Sequence, residues 1–174
     1  MIPELLSQTG LLAGGFAINI AISVAALVLG TALGAVLGLM RYVGGVAARV
    51  AGLLTNLCRN VPSFVLLFYL AFLLPVEFQW DGAFYLFPVW VKAAVALTIP
   101  VIGFASDQFL GFRRQLAEGE AGADLVFLAA WVQYALIILM ASPTASVIGT
   151  DEILARANRI AAQSPEPGFL MLTY

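Results

Sequence analysis

Long apolar segments separated by short polar ones dominate the sequence. Residues 5–40 contain no ionisable side chain, and a helix of about 20 mostly apolar residues is enough to cross a bilayer. Further apolar segments follow, and the pattern predicts spanning helices at about 11–42, 61–76, 84–109 and 125–149. We therefore predict an all-α, polytopic membrane helix bundle with about four spanning helices in a single domain, residues 1–174.

Two polar segments complete the predicted architecture. Residues 111–124 read Gly-Phe-Arg-Arg-Gln-Leu-Ala-Glu-Gly-Glu-Ala-Gly-Ala-Asp and predict a polar loop on the inner side of the membrane. Residues 151–163 predict a short amphipathic helix on the outer side, because their apolar positions recur at helical spacing. The loop is either a plain solvated connection or a docking site for a soluble partner.

The arginines predict the orientation. Short cytoplasmic loops carry an excess of basic residues, and the basic residues that flank the predicted spans on one side are Arg41, Arg49, Arg59, Arg113 and Arg114. Glu77 and Asp81, without basic neighbours, lie between the second and third spans. We expect the N-terminus outside and the arginine-rich segments inside. The start of the chain lacks the basic residues of a cleaved signal peptide, so we expect a retained first helix.

Composition excludes several function classes. Hydrophobic residues make up 62% of the chain, charged residues 10%, and the net charge is −2. The absence of His removes the commonest metal ligand and general base, and no phosphate-binding loop motif occurs. We expect no catalytic residues, no metal or other cofactor and no nucleic-acid partner. Membrane lipid is the expected surrounding, and any ATPase activity would belong to a separate chain.

A few polar and aromatic side chains lie within or beside the predicted spans. Asp107 lies near the inner end of the third span, where an ionisable group is a functional candidate; the alternative is that it reaches the inner interface. Lys92, near the outer end, is expected to snorkel to the membrane surface. Trp80, Tyr85 and Trp90 lie near the predicted outer boundary and are expected to anchor the chain there.

Three glycines recur in the first predicted helix at four-residue spacing: Gly30, Gly34 and Gly38. Small residues at this spacing form one face on which a second helix packs closely in lipid. The partner is either another helix of this chain, which we favour, or a second copy of it. Spacing alone does not separate the two.

The order of these features resembles the membrane permease subunits of ABC importers for polar amino acids, such as histidine, glutamine, arginine or glutamate. In that family an Arg-Gly-Thr-Pro motif introduces the second helix, and residues 59–62 here read Arg-Asn-Val-Pro. Residues 146–154, Ser-Val-Ile-Gly-Thr-Asp-Glu-Ile-Leu, are similar to the family segment Ser-Val-Ile-Gly-Val-Asp-Glu-Leu-Leu. The resemblance covers most of the chain and implies a fold of the type I ABC importer permease kind.

The resemblance also implies a location and partners. The chain would lie in the bacterial cytoplasmic (inner) membrane beside a second permease subunit, as a homo- or heterodimer. A cytoplasmic ATP-binding subunit and a periplasmic amino-acid-binding protein would complete the importer. The residues that it places at the helix entry or along the pathway are Arg59, Asn60, Pro62, Asp107, Ser142, Thr144 and Ser146. Of these, the last three would line the pathway as irregular backbone.

The inner loop departs from the family pattern. Gly122 stands where the family's coupling loop carries its central Glu, and Met140 stands where it carries Lys. The second half of that loop and the family's last helix are expected to be missing. The residues that would meet the ATP-binding subunit are Arg113, Arg114, Glu118, Gly119, Glu120 and Ala121.

Alternative functions follow from these departures. The leading interpretation is a membrane subunit of an amino acid ABC importer. The altered loop favours instead a degenerate, non-transporting permease-like subunit or fragment, with a structural or regulatory role in another membrane complex. A small channel-like oligomer that uses the glycine face is supported by composition alone. The amino acid transported is not readable from the sequence.

Overall fold

A computed structural model describes residues 8–163 of the chain; residues 1–7 and 164–174 of the predicted domain lie outside the described part. The elements are α1 (Thr9–Val43), α2 (Gly45–Asn60), α3 (Ser63–Leu73), β1 (Glu77–Trp80), β2 (Ala83–Leu86), α4 (Val89–Ala117), α5 (Ala123–Ala141), a 3-10 helix (Ser142–Ile148) and α6 (Ile153–Gln163). In this range α1, α4 and α5 with the 3-10 helix are long and apolar enough to cross a membrane. The predicted class, a polytopic membrane helix bundle, is confirmed.

The second predicted span differs from the structure. Instead of one helix over 61–76, two helices, α2 and α3, meet at an angle of 95° and together are long enough for a fourth span. Val61 has an extended backbone (φ −84°, ψ 123°), as expected for the residue before a proline, and Pro62 directly precedes α3. The chain therefore breaks at this dipeptide, and α2 is helical in the interval between the predicted spans 11–42 and 61–76.

The third predicted span, 84–109, begins too early. Residues 77–86 form an antiparallel hairpin, with Phe78 opposite Tyr85, and α4 starts only at Val89. Asp81 and Gly82 form the tip with φ angles of 49° and 79°, the two positive values of a hairpin turn that favours Asp-Gly. The aromatic residues of this segment suit a strand as well as a membrane helix, and the turn dipeptide decides between them.

The polar inner loop predicted over 111–124 is also too long. Helix α4 continues through Ala117 and α5 begins at Ala123, which leaves a turn of residues 118–122. The Glu120 N–H donates to the Gln115 carbonyl at 3.0 Å and the Gly119 N–H to the Leu116 carbonyl at 3.2 Å. With Gly119 at a φ of 73°, this is a Schellman cap, so the helix ends in a fixed geometry.

The direction of the helices follows from their contacts. Gly30 of α1 lies against Val101 of α4 and Gly38 against Phe109, so α1 and α4 run parallel. Helix α5 runs the opposite way. One end of the bundle therefore contains the start of α1, the end of α3, the hairpin and α6. We call it the hairpin end. The other end holds residues 118–122, and we call it the turn end.

The three glycines of α1 permit its closest helix contact. A β-carbon on Gly34 would lie 2.6 Å from the Ala105 Cβ and 2.7 Å from the Ile102 carbonyl oxygen, which is shorter than real side chains allow. Gly30 and Gly38 are equally crowded by α4. These glycines therefore pack inside the chain, as the first of the two interpretations has it, and they let the two backbones approach.

Lys92 does not snorkel to the membrane surface, contrary to expectation. The residue is 3% exposed, and its Nζ donates to the Leu74 carbonyl at 2.7 Å and to the Ala71 carbonyl at 3.3 Å. Carbonyl groups at the end of a helix lack partners within the helix and attract cations. The ammonium group thus caps α3 from α4, and the two helices are joined at the hairpin end.

Replacing Gly34 with Ala should destabilise the bundle, because the added methyl group forces α1 away from α4. Overpacking of this kind costs about 1–3 kcal/mol, and we expect a lower melting temperature by circular dichroism in mild detergent. Gly111→Ala is the matched control, since a β-carbon there would have no atom within 4 Å. A Gly34→Ala variant that melts with the control would contradict the close packing.

Candidate functional site

Helix α1 carries a polar cluster near each of its ends. The aspartate cluster, at the turn end, consists of Arg41, Thr55, Arg59, Ser106 and Asp107. The glutamate cluster, at the hairpin end, consists of Asn19, Ser142 and Glu152. Ionised or hydrogen-bonding side chains are costly within apolar surroundings unless they are paired. These two groups are therefore the places at which the described chain concentrates its polar chemistry.

The carboxylate of Asp107 joins three helices. Its Oδ1 accepts a hydrogen bond from Arg41 Nη1 of α1 at 2.7 Å, and its Oδ2 accepts one from Arg59 Nη1 of α2 at 2.9 Å. Both arginines lie in the last turn of their helices, where a positive charge also faces free carbonyl groups. Sequence analysis selected Arg59 and Asp107 separately, and the structure brings them into contact.

A chain of hydroxyl groups continues the aspartate cluster inward. Thr55 donates to the Ala51 carbonyl at 2.8 Å, so its oxygen must accept the 2.8 Å bond that it shares with Ser106. Ser106 in turn accepts from Arg41 Nη1 at 3.0 Å. The donor and the acceptor of each hydrogen bond in this series are thereby assigned, and donation runs from the guanidinium of Arg41 to the backbone of α2.

Glu152 is the most buried charged residue of the described chain, with 0% of its surface exposed. Its Oε1 accepts from the Ala155 N–H at 2.8 Å and its Oε2 from the Leu154 N–H at 3.0 Å. These are free amide groups of the first turn of α6. The carboxylate therefore caps that helix and lies at the positive end of its dipole.

Asn19 connects α1 to this cap. Its Nδ2 donates to Glu152 Oε2 at 3.0 Å and to Ser142 Oγ at 2.9 Å, and its Oδ1 accepts from the Ile153 N–H at 3.1 Å. Ser142 Oγ donates onward to the Leu139 carbonyl at 2.8 Å. One amide side chain thus joins α1, the 3-10 helix and α6, and both ends of that amide are satisfied.

The remaining predicted pathway residues lie apart from the clusters or bond locally. Residues 142–148 are a regular 3-10 helix, which corrects the expectation of irregular backbone. The Thr144 and Ser146 hydroxyl groups each donate to the carbonyl three residues earlier, at 2.6 and 2.9 Å. Asn60 ends α2 and Pro62 precedes α3, so both lie at the break between these helices.

The predicted ATPase contacts all lie at the turn end. Arg114 belongs to the last turn of α4 and Arg113 directly precedes it, and the Arg113 guanidinium lies 5.2 Å from the centre of the Tyr42 ring. The other four, Glu118, Gly119, Glu120 and Ala121, form the turn and are exposed. They share no hydrogen bond with the aspartate cluster among those found in the described chain.

Sequence reasoning missed several members of the two clusters. Asn19 and Glu152 were not selected, nor were Thr55 and Ser106, and Arg41 was read only as an orientation signal. Asn19 is the one amide side chain within residues 9–43, and this would have been a usable signal. Glu152 falls within residues 146–154, the segment that resembles the permease family, but the resemblance does not indicate that this side chain is buried.

The fold of the chain is similar to that of one solved transporter structure. No protein-family model matches the sequence, and no curated protein matches it. A solved structure described as the crystal structure of an amino acid ABC transporter with histidines superposes on the chain with a TM-score of 0.72. The match covers 97% of this chain and 86% of that one, at 16% sequence identity. The chain has the fold of an amino acid ABC transporter chain.

The fold carries the match, since so few residues are identical. The superposition extends over nearly the whole chain. The expectation of a permease-type fold is confirmed. Among residues 8–163, no group of three or more His, Cys, Asp or Glu is arranged to hold a metal ion.

The two arginines of the aspartate cluster should contribute unequally to stability. The Arg41 side chain is 20% exposed and that of Arg59 is 55% exposed, and exposed ion pairs are worth only about 0–1 kcal/mol. We expect Arg41→Gln to lower stability by about 1–3 kcal/mol, because it also leaves Ser106 without its donor. Arg59→Gln should cost less. Detergent melting curves of both variants measure the difference, and equal losses would contradict it.

Replacing Asn19 with Leu should destabilise the hairpin end by about 1–3 kcal/mol, because three hydrogen bonds, two of them buried, are lost. Glu152→Gln should also destabilise, since a neutral amide caps α6 less well. Because both variants break the same network, the double variant should lose less than the sum of the two. Melting curves with Ser146→Ala as the control test this, and strictly additive losses would show that the two side chains act independently.

Proposed function

We propose that this chain is a membrane-spanning subunit of an ABC-type amino acid importer. One observation carries the proposal: three residues of the segments that resemble the permease family lie in the two clusters that join the helices. Arg59 and Asp107 meet in the aspartate cluster, and Glu152 lies at the centre of the glutamate cluster. The whole-chain likeness to an amino acid ABC transporter structure supports the same conclusion.

The charge distribution supports an orientation. Arg41, Arg49, Arg59, Arg113 and Arg114 lie at or near the turn end, whereas at the hairpin end the basic residues Lys92, Arg156 and Arg159 are outnumbered by the acidic residues Glu77, Asp81, Asp151 and Glu152. By the positive-inside rule the turn end faces the cytoplasm. The N-terminus of α1, the hairpin and α6 then lie outside the bacterial inner membrane.

The size of the chain supports a dimeric pathway. Three or four spans are too few to enclose a route for an amino acid. A second permease subunit, identical or related, completes the pathway, and a periplasmic binding protein delivers the amino acid at the hairpin end. The cytoplasmic ATP-binding subunit docks at the turn end, against Glu118, Gly119, Glu120 and Ala121, with Arg113 and Arg114 beside them.

A second candidate function rests on the shape of that docking site. The resemblance implies a coupling loop with short helices, which transmit the closure of the ATP-binding subunit to the pathway. The structure has a capped turn of residues 118–122 in its place. This favours a permease-like subunit that stays in a membrane complex, where it has a structural or regulatory role without coupling to ATP hydrolysis.

Co-purification distinguishes the two candidates. The tagged chain is expressed with the ATP-binding subunit and the second permease subunit encoded nearest to it, and the complex is assayed for ATP hydrolysis with binding protein and amino acids. The importer predicts a stable complex whose ATPase responds to the loaded binding protein. A Glu118→Ala/Glu120→Ala variant should reduce that response, because it removes two acidic side chains from the proposed docking surface, while the hairpin-tip variant Asp81→Ala should still bind the ATP-binding subunit.

The opposite outcomes have distinct meanings. A folded chain that binds the second permease subunit but gives no responsive ATPase supports the non-coupling subunit. A folded chain that recovers neither partner refutes both candidates.

A further inference from the structure

The hairpin formed by β1 and β2 presents apolar side chains that nothing in the described chain covers. All eight strand residues are exposed, and they include the large side chains Phe78, Trp80, Phe84, Tyr85 and Leu86. No helix of residues 8–163 packs extensively against either strand. A two-stranded hairpin is marginal in water without a further surface to pack on, so its order requires a partner outside residues 8–163.

The two faces of the hairpin differ in character. Directly opposed residues point to the same side, so one face holds Phe78 with Tyr85 and Trp80 with Ala83. The Phe78 and Tyr85 rings stack with their centres 5.5 Å apart. We call this the aromatic face. The other face mixes apolar residues with Glu77 and Gln79.

The position of the hairpin points to the nature of its partner. The bond between Lys92 and the Leu74 carbonyl joins the end of α3 to the start of α4, so the hairpin directly precedes a helix that is long and apolar enough to cross a membrane. The last residues of α3, Phe72 and Leu73, are 85% and 75% exposed, and Val76 is 69% exposed. They form an exposed apolar band at the end of α3 that adjoins the hairpin, with Glu77 as the first strand residue after it.

We propose that the aromatic face of the hairpin lies on the lipid surface, at the boundary between headgroups and acyl chains. Trp and Tyr concentrate at this boundary because one part of each ring system is apolar and another forms hydrogen bonds. The hairpin carries no basic residue, and its acidic residues lie at the base and tip, Glu77 and Asp81. The contact is therefore apolar, and it does not depend on anionic lipids or on salt.

Tryptophan fluorescence of the full chain in phosphatidylcholine nanodiscs tests this contact. The sequence has three tryptophans, so Trp90→Phe with Trp131→Phe leaves Trp80 as the single emitter. Lipids with a doxyl quencher near the headgroup should quench Trp80 more than lipids labelled deep in the acyl chain. The headgroup label should remain the stronger quencher of Trp80 at high salt and after addition of anionic lipid.

The matched control keeps Trp131 as the single emitter through Trp80→Phe and Trp90→Phe. Trp131 Nε1 donates to Thr31 Oγ1 at 2.9 Å, within the spanning part of α1 and α5, so the deep label should quench it more. This control shows that depth is resolved and that the chain has inserted. An environment-sensitive dye at Ala83→Cys in a Cys58→Ser background provides a second probe on the aromatic face if the double Phe variants fail to fold.

Two results would overturn the proposal. Quenching of Trp80 by aqueous iodide but by neither labelled lipid would place the aromatic face in water. Protection from both iodide and lipid quenchers would mean that a protein, such as a second copy of this chain, covers it. The proposal does not depend on the importer function, because it requires only that α4 crosses the membrane and that α3, the second half of the bent α2–α3 pair, ends at the membrane surface.

Discussion

The close contact between α1 and α4 positions the rest of the structure. Gly30, Gly34 and Gly38 bring the two backbones so near that a single methyl group would not fit. Because lipid offers no hydrophobic drive for helices to associate, dense packing of this kind is a main source of cohesion in a membrane. The contact also sets the register: with Gly34 against Ala105 and Ser106, Asp107 comes within reach of Arg41.

Three charged side chains in this packing, Lys92, Glu152 and Asp107, are each matched by a partner of suitable charge or dipole. Lys92 meets the carbonyl end of α3, and Glu152 meets the amide end of α6. Asp107 lies between two guanidinium groups. Where water is excluded, an unmatched group would cost several kcal/mol. The hydrogen bonds and ion pairs of the polar side chains therefore fix how the helices are oriented against one another, while the apolar contacts stabilise the packing without a directional preference.

The spanning architecture was readable from the sequence, because long uncharged segments have no stable alternative to a membrane. Local features were read less well. Helix α2 is not evident from the sequence because Arg49 and Arg59 interrupt its apolar pattern, although its small buried residues, Ala51 and Thr55, recur at helical spacing. The buried joints were out of reach for another reason. Asn19 and Glu152 are 133 positions apart, and only the folded register of α1 against α6 brings them together.

The spacing of the two polar clusters along α1 has a consequence for the membrane that suits this protein. Asn19 and Arg41 are separated by about 22 residues, or about 33 Å of helix. That length is close to the thickness of the hydrocarbon layer, about 30 Å. Helix α1 is thus fastened at two heights that match the two surfaces of a bilayer. A markedly thinner or thicker membrane would strain the two clusters through hydrophobic mismatch. The thickness of the lipid bilayer chosen for reconstitution should therefore affect the stability of the fold.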